Sequence, residues 1–218
     1  MFADDVVLCS ETREEVEGEI ENWRKALEDR GMRVNQKKTE YLCAGGGEAE
    51  PGDVRMQGEV VPRVQDFKYL GSTVQDDCGA NREVTKRIAA DWMSWKKVTG
   101  VVCDKKVPSK VKGKIYKVVV RPALLYGMET VAMTKRLEKK LEVAEMKMLR
   151  WMKGVTRKDR ERNVDVRKEL QVRELSDKLR EGRLRWYGHV RRRENNYVGN
   201  RVMRMNTGRR KRGRSKRR

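Results

Sequence analysis

From Asn81 onward the apolar residues recur at the three- and four-residue spacing of a helix face, and this period restricts the fold more than any other feature. Val84, Ile88, Trp92, Trp95 and Val102 line one expected helix. Pro108 and Ser109 open another, carrying Val111, Ile115, Val118 and Val119, and Pro122 bends or ends it because proline lacks an amide proton. Thr134 precedes a third, with Leu137, Leu141, Ala144, Met148 and Trp151 on its buried face and Gly154 beyond its end. Leu175, Leu179, Trp186 and Val190 mark the last clear one. Every tryptophan stands on such an apolar face, so core packing is its expected use.

Before residues 76–80 the pattern differs, and a subdomain boundary is expected there. Val6, Val7 and Leu8 have the character of a buried strand, which places Asp4 and Asp5 at a turn before it. Ser10 or Thr12 can cap a helix reaching about Arg30, with Val16, Ile20, Trp23 and Leu27 on one face and Gly31 after it. A strand is expected over 37–43, and Gly45 to Gly52 reads as a loop. Residues 54–56 and 59–61 flank Gln57-Gly58, a two-residue hairpin turn. Phe67 to Leu70 forms a further strand that Gly71-Ser72 stops.

Charge then narrows the function. Charged residues make up 39% of the 218 positions, so apolar side chains must concentrate on a few helix faces. The net charge is +20, unevenly placed: residues 1–30 hold ten acids and four bases, whereas 201–218 hold ten bases and no acid. Such a basic block binds a polyanion or stays a solvated tail, and nucleic acid is the obvious partner. Exposed clusters at Lys96-Lys97, Lys105-Lys106, Lys139-Lys140, Arg191-Arg192-Arg193 and Arg209-Arg210-Lys211-Arg212 would lie along a phosphate backbone.

The four cysteines are far apart and the single histidine completes no zinc set with them. The glycine loop lacks the Gly-Lys-Ser/Thr ending of a phosphate cradle. No signal peptide or membrane-spanning run is present, so a soluble, intracellular and reduced chain is expected, nuclear or in a cytoplasmic ribonucleoprotein.

Adjacent carboxylates on rigid backbone suit Mg2+, a hard cation that takes only one or two protein oxygens. Alone, Asp4 and Asp5 also fit a turn with two solvated acids. Several stretches taken together, however, resemble the reverse transcriptase of non-LTR (LINE-class) retrotransposons. Phe2-Ala3-Asp4-Asp5 resembles its catalytic Asp-Asp hairpin, and residues 31–40, Gly31 to Glu40, resemble the segment after the next palm helix. Phe67-Lys68-Tyr69-Leu70-Gly71-Ser72 resembles the primer-grip strand. Residues 121–127 (Arg-Pro-Ala-Leu-Leu-Tyr-Gly) and 184–190 (Leu-Arg-Trp-Tyr-Gly-His-Val) resemble thumb and post-thumb segments.

The resemblance implies an α+β, mostly α-helical fold. Residues 1–78 would be a partial palm, 79–155 a thumb-like bundle, 156–200 a post-thumb region and 201–218 a disordered basic tail. It implies RNA-templated DNA synthesis by two-metal phosphoryl transfer, with Asp4 a metal ligand, Asp5 its supporting carboxylate and Lys38 near the triphosphate. Phe67, Lys68, Tyr69, Leu70 and Gly71 would hold the primer end. The RNA template, the DNA primer and, in an intact enzyme, a deoxynucleotide are the implied partners.

In this family another catalytic aspartate lies well upstream of the Asp-Asp box, and Asp53, Asp66, Asp76 and Asp77 lie in segments the family places elsewhere, so none is expected to substitute for it. The expectation is a C-terminal fragment, starting at the box, that would not polymerise alone and would hold Mg2+ weakly or not at all. Met128, Val131 and Ser215 depart from the family pattern in the manner of a decaying copy. His189 is expected to be structural. Two other readings stay open: a non-enzymatic basic nucleic-acid-binding protein, and a relic without function.

Overall fold

The computed structural model describes residues 4–44 and 52–204. Its first helix, α1 (Arg13–Glu28), starts where local chemistry dictates. The Thr12 hydroxyl accepts the Glu15 N–H at 3.3 Å and the Glu15 carboxylate accepts the Thr12 N–H at 3.4 Å, satisfying two amides that have no partner inside the helix. Gly31, at φ 77°, follows its end. Strands β1 (Arg55–Met56) and β2 (Glu59–Val60) pair antiparallel across Gln57 and Gly58, both at positive φ, as expected for this turn. Val54, Met56 and Val61 are buried against Val16, Ile20, Val34 and Tyr41, so α1 and this hairpin share a small core. Polar contacts reinforce it: Glu17 and Glu21 on α1 accept the Arg55 and Gln57 amides at 2.8 and 2.7 Å.

Two expected strands do not form. Val6, Val7 and Leu8 are half-buried but irregular. Over 37–43, residues Gln36–Lys38 make a 3-10 turn and only Tyr41 bridges, in parallel fashion, to Arg63. β-branched composition favours a strand only where a neighbouring strand offers a ladder, and here the ladder is one bridge long.

The expected stop at Gly71-Ser72 is instead a hairpin turn. Strand β3 (Asp66–Tyr69) pairs antiparallel with β4 (Ser72–Gln75), and the turn places Leu70 at φ 47° and Gly71 at φ 79°.

The rest is helical: α2 (Asn81–Val102), α3 (Ser109–Ile115), a π-helical turn over Tyr116–Val120, α4 (Arg121–Leu125), α5 (Lys135–Lys153), α6 (Asn163–Leu170), α7 (Leu175–Arg191) and α8 (Val198–Arg204). The α+β, mostly α-helical class expected from the sequence is therefore what forms. Two apolar cores hold the helices together. Trp95, Val102, Tyr116, Val120, Met148, Leu149, Val166 and Leu170 make one, and Val84, Leu124, Met128, Leu137, Leu141, Leu175 and Leu179 the other. The Thr134 hydroxyl caps α5 through the Leu137 amide, and Gly154 ends it at φ 75°.

Four faces differ from expectation. Val111, Val118 and Val119 are exposed, and Tyr116, Val120 and Leu124 are buried instead. Val111 already lies on the exposed side of α3; the π turn follows with its extra residue per turn, and Pro122 falls in the first turn of α4, where a missing N–H costs little. On α5 the buried stripe ends on Leu149 and Met152, which leaves Trp151 62% exposed. Trp186 on α7 and Trp23 on α1 are exposed too. Among the described residues no helix is long and apolar enough to cross a membrane.

Candidate nucleic-acid interface

Asp4 lies in a turn and Asp5 at a bridge position, and both are exposed. No group of three or more His, Cys, Asp or Glu side chains able to hold a metal ion occurs among the described residues, so the pair stands without a third ligand there. Lys38 ends the 3-10 turn with its side chain in solvent. The same turn is tied to the β1–β2 hairpin, because Gln36 Nε2 donates to Gln57 Oε1 at 2.9 Å.

The primer-grip-like residues sit on a hairpin held by several polar contacts. Alternation along β3 leaves Phe67 and Tyr69 half-buried and Lys68 in solvent. The hairpin is anchored from α2: the buried Glu83 carboxylate accepts the Thr73 amide at 2.8 Å and pairs with Arg87 at 2.6 Å. Arg87 also donates to the Gly71 carbonyl and lies 4.6 Å from the centre of the Tyr126 ring. The Tyr126 hydroxyl donates to the Leu70 carbonyl at 2.9 Å. Arg82 pairs with Asp66 at 2.6 Å at the strand's far end. Segments 67–72 and 121–127, which the sequence presents as separate motifs, thus meet at one place.

Glu83 and Arg87 do not emerge from sequence reasoning. The available signal was that both stand on α2 at a four-residue spacing, close to the start of its apolar stripe.

Beside this junction runs a groove of about 880 Å³ between the Leu70–Ser72 tip, the Arg121–Met128 bend and α7. Lys117, Lys178 and Arg185 line it, but Glu181 pairs with Lys178 at 2.7 Å and with Arg185 at 2.8 Å and offsets part of their charge. The remaining basic candidates, Lys96, Lys97, Lys105, Lys106, Arg191, Arg192 and Arg193, are all exposed. Arg209, Arg210, Lys211 and Arg212 lie outside the described residues. His189 is exposed, with an Arg193 guanidinium nitrogen 3.4 Å from its Nε2.

Residues 1–74 match the family model of reverse transcriptase, the RNA-dependent DNA polymerase. Over that segment the chain is similar to reverse transcriptases. The match spans the acid pair, α1, both turns and most of β4, and stops before the helical body. Relatives carry the likeness further. A transposon-derived protein of Caenorhabditis elegans is 26% identical over 204 residues, covering 88% of this chain and 71% of the relative. An RNA-directed DNA polymerase from the mobile element jockey of Drosophila melanogaster is 26% identical over 165 residues, covering 73% of the chain but 17% of the relative. The jockey polymerase of Drosophila funebris is 25% identical over 193 residues, covering 83% and 20%. No solved structure matches the chain. The resemblance drawn from Phe2–Asp5 and the later motifs is borne out, and the helical body after the reverse transcriptase segment is shared with mobile-element proteins.

Proposed function

We propose that the chain works as part of an RNA-directed DNA polymerase of a non-LTR mobile element, supplying the Asp-Asp end of the polymerase site and a basic helical arm for the template–primer. The observation that carries this reading is the reverse transcriptase match over residues 1–74, which includes an exposed pair of adjacent carboxylates.

The acid pair fits Mg2+ in donor type and accessibility, since both side chains offer hard oxygens to solvent and the ion takes most of its other ligands from water and substrate phosphates. Bound there, the ion would stabilise charge on the reacting phosphoryl group. Asp4 is the proposed ligand and Asp5 its supporting carboxylate. Because no third ligand joins them among the described residues, nucleotidyl transfer on this reading needs a further carboxylate supplied from elsewhere, and the chain is inactive alone. Lys38, exposed on its 3-10 turn, serves as the cation for the triphosphate. The β3–β4 hairpin holds the primer end, braced by Glu83, Arg87 and Tyr126.

The test is primer extension on an RNA template by the chain joined to the preceding polymerase segment of a related mobile-element protein. The reading expects Asp4→Asn to abolish extension while leaving duplex binding intact. Equal extension by the variant would remove Asp4 from the site.

A second reading, polynucleotide binding without catalysis, is favoured by the net charge of +20 and the exposed lysine and arginine clusters. On that reading, removing residues 208–218 weakens binding and flattens its dependence on salt by a slope of roughly 0.7–0.9 for each phosphate no longer neutralised. Salt-independent binding contradicts it.

A further inference from the structure

Trp151 is 62% exposed in a part of the molecule built to hold it still. Its ring stands edge-on to Trp92, with centroids 5.8 Å apart and planes at 86°. Trp92 in turn stands edge-on to Trp95 at 6.4 Å, and Trp95 is 1% exposed in the centre of a core. The exposed indole is therefore propped through a half-buried ring onto a buried one. Its backbone is fixed as well: the Trp151 carbonyl accepts the Gly154 amide at 3.1 Å. Arg150 donates to the carbonyls of Thr156 and Glu161 and to the Asn163 side chain at 3.2, 2.7 and 2.9 Å, pinning the loop that follows.

Leaving an indole of this size in water forfeits burial worth a few kcal/mol. The surroundings say what kind of ligand suits it. Positions three and four residues away on a helix are surface neighbours. Within the helices these are Lys147 and Met148 for Trp151, which stands near the end of α5, and Ile88, Ala89, Trp95 and Lys96 for Trp92. None is an acid. Lys96 and Lys147 are both exposed, and neither makes an ion pair among the described residues. A rigid aromatic face flanked by unneutralised cations is the arrangement that accepts an unpaired base with its phosphates. A base inside a duplex has no free face to offer it.

We infer that Trp151, backed by Trp92 and flanked by Lys96 and Lys147, is a stacking platform for a base of a single-stranded polynucleotide. It lies on helices α2 and α5 and includes no residue of the β3–β4 hairpin that the family resemblance assigns to the primer. The inference rests on the proposed nucleic-acid-binding role and adds to it a single-strand site.

The experiment is equilibrium binding of labelled oligothymidylate and oligouridylate single strands, and of a mixed-sequence duplex, to the full chain, with tryptophan fluorescence followed in the same titration. The wild-type protein is expected to lose fluorescence on binding single strands. Trp151→Ala should bind them roughly 5- to 150-fold more weakly, the range for removal of one stacked base, with duplex binding unchanged. Trp151→Phe, which keeps a ring, should recover most of the single-strand affinity and shows that the effect is not one of folding.

Equal single-strand affinity in Trp151→Ala, or an equal weakening on the duplex, overturns the platform while leaving the binding role standing. A wild-type dimer that Trp151→Ala makes monomeric overturns it in favour of a second copy as the occupant. A wild-type chain that binds neither single strand nor duplex removes the underlying role itself.

Discussion

The Arg121 guanidinium lies 2.8 Å from a Glu145 carboxylate oxygen, with both side chains buried in the middle of the helical body. Arg167 pairs with the other oxygen of Glu145, and the Tyr116 hydroxyl donates to the first at 3.1 Å. Arg121 also donates to the Arg173 carbonyl. One carboxylate thus gathers the π turn, α4, α5 and α6. A buried ion pair adds little to stability compared with apolar residues in its place, but removing one partner strands the others. Glu145→Ala leaves two buried guanidinium groups without their anion and is expected to cost about 3–5 kcal/mol, read as a lower midpoint in urea denaturation.

The same cluster contains Asp91, which is 0% exposed and has no hydrogen-bond partner on either carboxylate oxygen among the described residues. Burial pushes its carboxyl up to about 8, the Glu145 charge pushes the same way and Arg121 opposes both. The group therefore binds a proton in the folded chain where the unfolded chain has released it. Stability falls as pH rises from the ordinary carboxylate range of about 4 to about 8, and levels off above that. Asp91→Asn removes the titration. The gap between variant and wild type, measured by urea denaturation across that window, should widen steadily in favour of the variant. A constant gap would show that Asp91 ionises normally.

At the junction of the primer-grip-like hairpin the geometry separates a modest contact from a strong one. Tyr126→Phe removes one exposed hydrogen bond to Leu70, so about 1 kcal/mol or less is at stake, and global stability should hardly change. Leu70 nevertheless sits at φ 47°, a conformation its side chain disfavours, and the Tyr126 hydroxyl bonds its carbonyl directly. Amide hydrogen exchange should quicken at Gly71 and Ser72 and stay unchanged in α5. Arg87→Ala should be worse, about 2–3 kcal/mol, because Glu83 is 2% exposed and would be left without the cation beside it.

These residues also show where the sequence was readable. Thr12 with Glu15, Gln57 with Gly58, and Thr134 with Gly154 act through bonds and dihedrals a few residues long, so their elements could be placed directly. The face over residues 111–119 was misread: Val111 is exposed before the π turn begins, Val118 and Val119 are exposed within it, and the buried stripe runs instead through Tyr116, Val120 and Leu124. The charged cluster had a trace that helical spacing alone could have exposed. Asp91 falls between Ile88 and Trp95 on the buried stripe of α2, and Glu145 between Leu141 and Met148 on that of α5. Charge on such a stripe is costly unless another element brings its partner, and Arg121 and Arg167 come from elements whose packing the stripe does not encode. The acid pair at Asp4 and Asp5 was legible only by family resemblance, since locally it is an ordinary turn.

Close backbone packing gives a last pair of expectations with opposite signs. Gly113 on α3 faces α6 so tightly that an added Cβ would lie 1.8 Å from the Leu170 carbonyl oxygen and 2.8 Å from its carbon. Neither atom can swing aside, because Leu170 is itself 0% exposed in the core. Gly113→Ala must push α3 from α6 and should cost about 3 kcal/mol or more. Around Gly182 on α7, beyond its own helical backbone and chain neighbours, no atom of the described residues lies within 4 Å of the same hypothetical Cβ. There the substitution only narrows the unfolded chain's freedom and improves helix propensity, so Gly182→Ala should stabilise by about 0.5–1 kcal/mol. Thermal melts of the two variants should move in opposite directions from the wild type, and a stabilised Gly113→Ala would mean that α3 and α6 do not meet at Leu170.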